Sequence, residues 1–461
     1  MLTYIKIDGF KSFNNFEMEF TPFTVIAGAN ASGKSNLFDA LKLLSRLAEA
    51  DNLKKAFKEQ RGEFSELFTQ YSENDYADTM SFTVEMLVSN KIKDAWGNVG
   101  NIKYTRLRYE LKIKRYTNSS GIEDLVVAEE KLENLKHQQD KWIKLIPRPF
   151  LENWRPKVET GKRALPYIQT ITENGISTVQ VHQDGTAGNK RRFPLNNASR
   201  TVLSSFDAVD FPHVLAVKEE MRNWKFLELN PEDLRQPTSK NSGEDILTQS
   251  GKNLAAVLYR IKQDDEYSIM EISRKLQTFL PSFIEVDVVD DTENKQYVIN
   301  IKDKDKKNYT SRVLSEGTLR ILALCILEYD NKHTSLLCFE EPENGVHPLR
   351  IGSMAKLLKD LSLDFSDKDA PLRQVIVNTH SPVLVDQIYK WQDDKNVSIW
   401  YAEMVNRVDE INHKRIALSV TSILPVKKEN SIPFQLNLSE QDKKLTLSNV
   451  TKYLETAPNT Y

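Results

Sequence analysis

Residues 23–44 constrain the fold of this chain more than any other stretch. The run FTVIAG predicts a short buried strand, because apolar and β-branched residues dominate it and it stops at Gly28. The eight residues from Gly28 to Ser35 read GANASGKS, and apolar residues then recur at helical spacing. Strand, glycine-containing loop and helix thus follow in the order of a phosphate cradle, where backbone N–H groups at a helix N-terminus attract an anion.

Each residue type in this loop suits such a cradle. Gly28 and Gly33 let the backbone turn and approach phosphates, Lys34 places a positive charge on the β and γ oxygens, and the Ser35 hydroxyl can ligate Mg²⁺. A glycine-rich helix cap is the alternative, and the strand and helix around the motif make it the weaker explanation. The other residues predicted to bind nucleotide here are Asn30, Ser32 and Asn36.

A second motif, SLLCFEEP at residues 335–342, is an apolar strand that ends in two carboxylates. Strand interiors rarely hold adjacent charges, so both are expected at the C-terminal edge of the sheet, where open α/β sheets bind their ligands. We predict that Glu340 holds Mg²⁺ and that Glu341 is the base that orients or deprotonates the attacking water. The alternative is a solvated strand end before a proline.

A third strand, QVIVNTHSP at residues 374–382, ends in His380 just before a Ser-Pro helix start. A lone histidine is usually a packed or surface residue. Because the other two strand ends carry the glycine loop and the acid pair, His380 is predicted to reach a γ-phosphate.

The segment VLSEGTLRIL at residues 313–322 is a short polar loop that enters an apolar helix. A helix cap explains Ser315 and Gly317 by themselves, since a serine side chain satisfies free N–H groups at a helix start. The same N–H groups and the helix dipole also attract phosphate. The segment alone favours the cap.

Composition limits the class of protein. The chain has 461 residues, 40% of them hydrophobic and 28% charged, which is typical of a soluble globular protein. A net charge of −2 gives no overall basic field of the kind that nucleic-acid-binding proteins often have.

Both cysteines, Cys325 and Cys338, lie in apolar runs, which indicates buried packing in a reducing compartment, the cytoplasm. No signal pattern and no membrane-spanning stretch of roughly 20 apolar residues is found in the sequence, so no membrane partner is expected.

Together the motifs resemble the ATP-binding-cassette ATPases of the SMC, RecF and OLD type, a group often called AAA15 or AAA21. GANASGKSN resembles the Walker A loop, LSEGTLRILAL the signature motif, LLCFEEPENGVHP Walker B with its D-loop, and VNTHSP the switch histidine. The resemblance implies an α/β fold with a mixed sheet around the phosphate loop, an antiparallel β lobe and a mixed α/β insertion. It also implies ATP and Mg²⁺ as cofactors.

The resemblance also implies a homo-oligomer. In such ATPases two heads pack head to tail, so Ser315 and Gly317 of one copy would touch the γ-phosphate held by the other. Glu316 departs from the usual glycine, and an acid there has to point away from the phosphate or pair with a cation. Other departures are Glu340 in place of an aspartate and His347 near the D-loop. Gln60 is a weak candidate for the Mg²⁺-sensing glutamine, with a solvated helix end equally favoured.

Between the ATPase halves, residues 104–115 and 125–127 are predicted to be strands, 134–145 a charged helix and 167–181 a hairpin. The cations at 190–192 are read as solvated surface or as a phosphate-backbone contact. No sustained heptads occur, so no long coiled coil is expected. The predicted division is 1–125 for the N-terminal ATPase lobe, 126–245 for an insertion with helical character, 246–402 for the C-terminal ATPase lobe and 403–461 for a C-terminal extension.

Two functions fit these motifs. The first is a sensor ATPase that controls a separate effector chain, a nuclease, as in bacterial antiphage systems of the Septu or PARIS kind. No nuclease motif is evident here, since Asp303 and Asp305 lie in a lysine-rich turn that is best read as a solvated hairpin. The alternative is a DNA-repair ATPase of RecF character that clamps duplex DNA.

Overall fold

The computed structural model describes residues 1–73, 75–157, 165–184, 190–243, 246–368, 370–411, 414–426 and 453. In chain order the strands are Leu2–Asp8 (β1), Phe16–Glu19 (β2), Phe23–Ala27 (β3), Gln70–Ser72 (β4), Asp75–Tyr76 (β5), Thr79–Leu87 (β6), Lys91–Lys93 (β7), Val99–Asn101 (β8), Arg106–Thr117 (β9), Glu123–Asn134 (β10), Ile168–Glu173 (β11), Ile176–His182 (β12), Lys190–Pro194 (β13), Lys225–Leu227 (β14), Thr238–Ser239 (β15), Phe283–Asp291 (β16), Gln296–Asp303 (β17), Asn308–Thr310 (β18), Leu336–Glu340 (β19), Gln374–Thr379 (β20), Val397–Ile411 (β21) and Lys414–Pro425 (β22). The α-helices are Lys34–Leu47 (α1), Leu53–Lys58 (α2), Leu151–Trp154 (α3), Pro212–Arg222 (α4), Pro231–Arg235 (α5), Leu254–Asp264 (α6), Glu266–Phe279 (α7), Glu316–Glu328 (α8), Pro348–Asp360 (α9) and Pro382–Tyr389 (α10).

A six-stranded sheet in the order β14-β19-β20-β3-β21-β22 carries the predicted motifs. Its strands are parallel except β22, which runs antiparallel to β21. Glu340 is in register with Asn378, and Thr379 is in register with Ala27. The acid pair, the histidine and the glycine loop therefore follow three adjacent strands at one edge, as predicted from their sequence order.

The central strands of this sheet are buried on both faces, as parallel strands usually are. Ile26 packs in the core shared with α1 and the antiparallel sheet, whereas Val25 packs in the core shared with α8, α9 and α10. The free thiols of Cys325 and Cys338 are fully buried in these cores, which confirms their predicted packing role.

An eight-stranded antiparallel sheet, β13-β12-β11-β10-β9-β6-β1-β2, forms the second lobe. Its inner face and α1 enclose one continuous apolar core. A buried carboxylate lies inside this lobe: Glu130 on β10 accepts hydrogen bonds from the backbone N–H groups of Val202, at 2.6 Å, and Leu203, at 2.8 Å. The Tyr109 hydroxyl donates a third at 3.0 Å. The predicted α/β ATPase head with an antiparallel β lobe is confirmed.

Two predictions for the middle of the chain have different outcomes. The hairpin at 167–181 is confirmed as β11 and β12, which pair antiparallel. The helix at 134–145 is wrong, since β10 continues to Asn134 and only Trp142–Leu145 forms a 3₁₀ turn. Asp140 explains the irregular path, because its carboxylate is buried and bonded to Arg106 at 3.0 Å.

The predicted boundary at residues 125 and 126 falls within β10, and β10 to β13 extend the same sheet as β1. The predicted extension 403–461 is described only over 403–411, 414–426 and 453, and the rest lies outside the described residues. The four-part division of the chain stays a prediction.

The helices of the described ranges are short. Within the described ranges the longest are α1 and α7, with 14 residues each, so this part of the chain contains no long coiled coil, as predicted. A small sheet of β15, β16, β17 and β18 packs beside α6 and α7. No helix in the described ranges is long and apolar enough to cross a bilayer.

Candidate functional site

The loop between β3 and α1 folds around the side chain of Lys34. The Lys34 ammonium donates to the carbonyl oxygens of Gly28 at 2.8 Å and Ala29 at 2.7 Å, and to Ser32 Oγ at 3.3 Å. Gly33, at the start of α1, has a φ of +85°, a left-handed conformation that favours glycine. The loop thus wraps a buried cation at the positive end of a helix, which is an anion-binding arrangement.

Burial lowers the pKa of Lys34, and the nearby carboxylates of Glu341, Glu343 and Glu340 partly oppose this effect. Burial disfavours the charged form of an amine, and an anion bound beside it restores that form. The lysine is therefore placed to pair with a negatively charged ligand.

The Ser35 hydroxyl donates to Glu340 Oε1 at 2.8 Å, although the two residues are 305 positions apart. A hydroxyl and a carboxylate at this distance fit Mg²⁺, which takes oxygen ligands and usually keeps several waters. Arg61 donates to the other oxygen, Glu340 Oε2, at 3.2 Å. Within the described ranges no three His, Cys, Asp or Glu residues are grouped to hold a metal.

Glu341 leaves the strand with a φ of +46°. Its backbone N–H donates to the Asn378 carbonyl at 2.9 Å, which fixes the turn to the neighbouring strand. Its carboxylate contacts His380 Nδ1 at 2.7 Å through Oε1 and accepts from Asn344 Nδ2 at 2.9 Å through Oε2. Two fixed partners orient a half-exposed carboxylate, as a water-activating base requires.

Close to Glu341 and His380 lies Glu343, which is buried and accepts a hydrogen bond from the hydroxyl of Thr379. Burial raises the pKa of Glu343, and the hydrogen bond from Thr379 opposes this effect. The Thr379 hydroxyl also accepts from the Ser381 N–H at 2.9 Å, so Glu343 ties the strand end that carries His380 to the turn that carries Glu341.

A cavity of about 310 Å³ lies over the glycine loop. Seven of the predicted residues line it: Asn30, Ser32, Gly33, Lys34, Ser35, Asn36 and Glu341. Gly28 contacts Lys34 and Glu340 contacts Ser35, so both residues lie next to the cavity. His380 reaches it only through Glu341, and Ser315 and Gly317 do not line it in the same chain.

Ser315 caps α8, as its sequence alone favours. Its Oγ accepts from the Thr318 N–H at 3.4 Å and lies 2.8 Å from Thr318 Oγ1. The Glu316 carboxylate accepts from Arg320 at 3.0 Å, so the acid in the signature motif is paired with a cation, one of the two arrangements that the sequence allowed. A Cβ atom placed on Gly317 would lie 3.1 Å from the Gly345 carbonyl oxygen, so the signature loop and the D-loop are in close contact.

The hairpin of β21 and β22 forms one wall of the cavity, and the sequence analysis missed it. Thr421 Oγ1 lies 2.6 Å from Ser12 Oγ, which accepts from Asn36 Nδ2 at 2.7 Å. A Cβ atom on Gly33 would collide with the Thr421 side chain. Met404, opposite Thr421 in the hairpin, also lines the cavity. No motif marks Thr421 or Met404, so only the fold reveals them.

Gln60 does not line the cavity over the glycine loop. It lies in a neighbouring groove, and its Oε1 is buried without a hydrogen-bond partner in the described part of the chain. The adjacent residue, Arg61, reaches Glu340 instead. The assignment of Gln60 as the Mg²⁺-sensing glutamine stays a prediction.

The fold is that of a phosphate-loop ATPase head. A glycine loop joins β3 to α1, and an acid pair lies at the end of β19, which is separated from β3 by β20. A family model described as an AAA ATPase domain matches residues 1–385, and the chain belongs to this family. This match confirms the predicted group at the level of the family. No curated protein matches the chain.

Several solved SMC heads are similar to this chain. The SMC head domain from Thermotoga maritima aligns with 14% identity over 93% of this chain and 99% of its own, with a TM-score of 0.39. An Smc head solved with the C-winged helix domain of ScpA aligns with 16% identity over 92% and 98%, with a TM-score of 0.46. The Smc head with a coiled coil and joint from Pyrococcus yayanosii aligns with 12% identity over 98% and 99%, with a TM-score of 0.42. The family assignment rests on the family model.

Proposed function

We propose that this protein binds ATP with Mg²⁺ over the glycine loop and hydrolyses it to ADP and phosphate. The observation that carries the proposal is the 2.8 Å contact between Ser35 Oγ and Glu340 Oε1, next to a carboxylate, Glu341, that His380 and Asn344 orient. A cation-ligating pair and an oriented base at the same strand edges are the parts that phosphoryl transfer to water needs.

In the proposed hydrolysis each residue of the site has its own role. Lys34 neutralises charge on the β and γ oxygens, and the backbone N–H groups of the loop hold the phosphates. Glu341 aligns the attacking water and takes its proton, while His380 holds this carboxylate and reports on the γ-phosphate. Ser35 and Glu340 would hold Mg²⁺, which would supply charge neutralisation at the phosphate oxygens when bound.

We propose that the site is completed by a second copy in a head-to-tail pair. Ser315 and Gly317 do not line the cavity of their own chain, and the start of α8 carries backbone N–H groups and a positive dipole that suit a phosphate. The pairing of Glu316 with Arg320 removes the main objection to an acid in this motif, since the carboxylate is already neutralised.

As its biological role, we propose a cytoplasmic sensor of a bacterial antiphage system that controls a separate effector chain, a nuclease. The proposal rests on the order of the four motifs and their resemblance to the ATPases of such systems. In this role hydrolysis times the release of the effector.

The second candidate is a DNA-repair ATPase that clamps duplex DNA. It is favoured by Lys190, Arg191 and Arg192, which lie exposed on β13, the edge strand of the antiparallel sheet. Three adjacent cations on an open edge suit the phosphate backbone of DNA.

The experiment that separates the two roles is ATP turnover by the full chain while duplex DNA is titrated at one moderate salt concentration. DNA-stimulated turnover would support the clamp, and turnover that ignores DNA would support a protein-triggered sensor. Lys34→Ala is the control and is expected to lose nucleotide binding. If Lys34→Ala turns over ATP like the parent, the proposed site is wrong.

A further inference from the structure

The turn between β7 and β8 holds a tryptophan out in solvent. Trp96 is 72% exposed, whereas the five other tryptophans of the chain are buried or half-buried. One buried carboxylate fixes this turn, because Asp94 accepts hydrogen bonds from the backbone N–H groups of Trp96, at 3.0 Å, and Asn98, at 2.8 Å. The Asn98 side chain donates a third at 3.0 Å. A rigid turn thus presents a large aromatic ring, a residue type that is enriched on binding surfaces.

The two strands below this turn have one packed face and one exposed face. Ile92 is in register with Gly100, and this pair packs toward the core of the antiparallel lobe. The Lys93 side chain reaches up to the turn, since its Cε would lie 3.5 Å from a Cβ atom placed on Gly97. The exposed side, here called the tryptophan face, consists of Lys91, Lys93, Trp96, Val99 and Asn101.

The positive charge of the tryptophan face is not neutralised by the chain. Within the described ranges neither Lys91 nor Lys93 has a carboxylate partner. The one acid in the turn, Asp94, is occupied by the hydrogen bonds that fix it. On the segment that leads into α4, Asp207 is paired with Lys218, which leaves Asp210 as an exposed acid close to the hairpin.

The cations of β13 lie next to this hairpin. A Cβ atom on Gly100 would lie 3.3 Å from the side chains of Val209 and Pro212. The guanidinium of Arg191 lies over the ring of Phe211, the residue before this proline, at 5.2 Å. The basic strand and the tryptophan face are therefore neighbours in the fold, and together they attract an anionic partner.

An exposed aromatic ring between unpaired lysines suits a single nucleic-acid strand. Its bases stack on aromatic side chains and its phosphates pair with cations. In a duplex the faces of the bases are covered by their neighbours, so a ring at the surface has no base to stack on. A bilayer fits less well, because only Trp96 and Val99 supply apolar area on this face and membrane binding grows with that area.

We infer that the tryptophan face binds single-stranded nucleic acid, with an unpaired base stacked on Trp96 and the adjoining phosphates on Lys91 and Lys93. This function goes beyond ATP hydrolysis and uses no residue of the nucleotide site. It also differs from the clamping of duplex DNA, in which the bases stay paired.

The test measures binding of a fluorescein-labelled oligonucleotide of about twelve thymidines to the full chain by fluorescence anisotropy. Trp96→Ala is expected to weaken binding roughly 5-fold to 100-fold, which is the usual effect of losing one stacking ring. Trp96→Phe keeps a ring and should bind within about threefold of the parent. ATP affinity should be the same in both variants and the parent.

The lysines are tested through the salt dependence of the same binding. Each phosphate contact on a single strand contributes about 0.7 to the slope of log affinity against log salt concentration, so Lys91→Gln combined with Lys93→Gln should lower the slope by about 1.4. An unchanged slope would show that these lysines do not contact phosphates, and the inferred binding mode would be wrong.

Tyr267→Ala is the matched control, since Tyr267 is an equally exposed aromatic residue, at 73%, on α7. If Trp96→Ala binds the oligonucleotide as tightly as Tyr267→Ala, or if it weakens duplex DNA binding to the same extent, the inference is wrong while the proposed ATPase function stands. Binding of the parent to vesicles of anionic phospholipid through Trp96, without binding to the oligonucleotide, would assign the face to a membrane and also overturn the inference.

Discussion

Gly33→Ala tests how closely the glycine loop depends on the C-terminal hairpin. Gly33 has a φ of +85°, and an added Cβ atom would collide with the Thr421 side chain. Thr421 cannot easily move away, because its backbone N–H donates to the Ser12 carbonyl at 3.0 Å and its hydroxyl lies 2.6 Å from Ser12 Oγ. The substitution therefore acts through backbone strain and through overpacking.

The two effects have known sizes. A left-handed conformation costs a non-glycine residue about 1–2 kcal/mol, and overpacking of a fixed neighbour costs about 1–3 kcal/mol. If the loop relaxes out of its binding conformation to avoid this strain, the free energy of ATP binding becomes less favourable by about 2–5 kcal/mol. This corresponds to roughly a thirtyfold to several-thousandfold rise in the dissociation constant.

The assay is titration of a fluorescent ATP analogue into Gly33→Ala, Thr421→Gly and the double variant. The double variant removes the collision and keeps the strained φ, so it is expected to recover to within about 5-fold to 30-fold of the parent. Gly175→Ala is the control, since Gly175 also has a positive φ, of +77°, but a Cβ there meets nothing within 4 Å. Binding by Gly33→Ala within twofold of the parent, or no recovery in the double variant, would refute the reasoning.

Three further predictions follow from the site and the lobe behind it. Glu341→Gln should keep ATP affinity and lower phosphate release by about 10²–10⁴-fold, and unchanged release would show that Glu341 is not the base. Ser35→Ala and Glu340→Gln should each weaken Mg²⁺ binding in the presence of ATP by roughly tenfold or more, and the double variant should be little worse, since both lose the same ion. Burial raises the pKa of Glu130 from 4.5 to about 7. Between these pH values the folded chain holds a proton that the unfolded chain has released, so the free energy of unfolding falls by about 3 kcal/mol from this group as pH rises. Glu130→Gln should lose that slope in urea titrations at about pH 5 and about pH 7, and an equal slope in both proteins would contradict the assignment.

The motif residues were predictable because local sequence determines them. The glycine loop after β3, the acids at the end of β19 and the histidine after β20 each follow an apolar run, and parallel strand order brings such ends together. The cap at Ser315 was likewise readable from its own segment.

What could not be predicted depends on contacts between distant segments. Thr421 reaches the loop because β21 pairs with β3 across more than 370 positions, and no spacing rule relates them. Arg61 and Gln60 are adjacent in one loop, and only the path of that loop decides which side chain meets Glu340. The helix expected at 134–145 failed because the buried bond of Asp140 to Arg106 outweighs local helix preference.

The contact between Thr421 and Gly33 also sets an order in time as the chain is synthesised. The glycine loop leaves the ribosome early, but its wall follows 388 residues later, roughly 20–80 seconds at common translation rates. Until then β3 lacks its neighbour β21, and nothing holds the loop from that side. A nascent chain that stops at residue 385, where the family match ends, would carry every recognised motif and still lack a finished nucleotide site. The complete nucleotide cavity thus requires a chain whose translation has passed the hairpin.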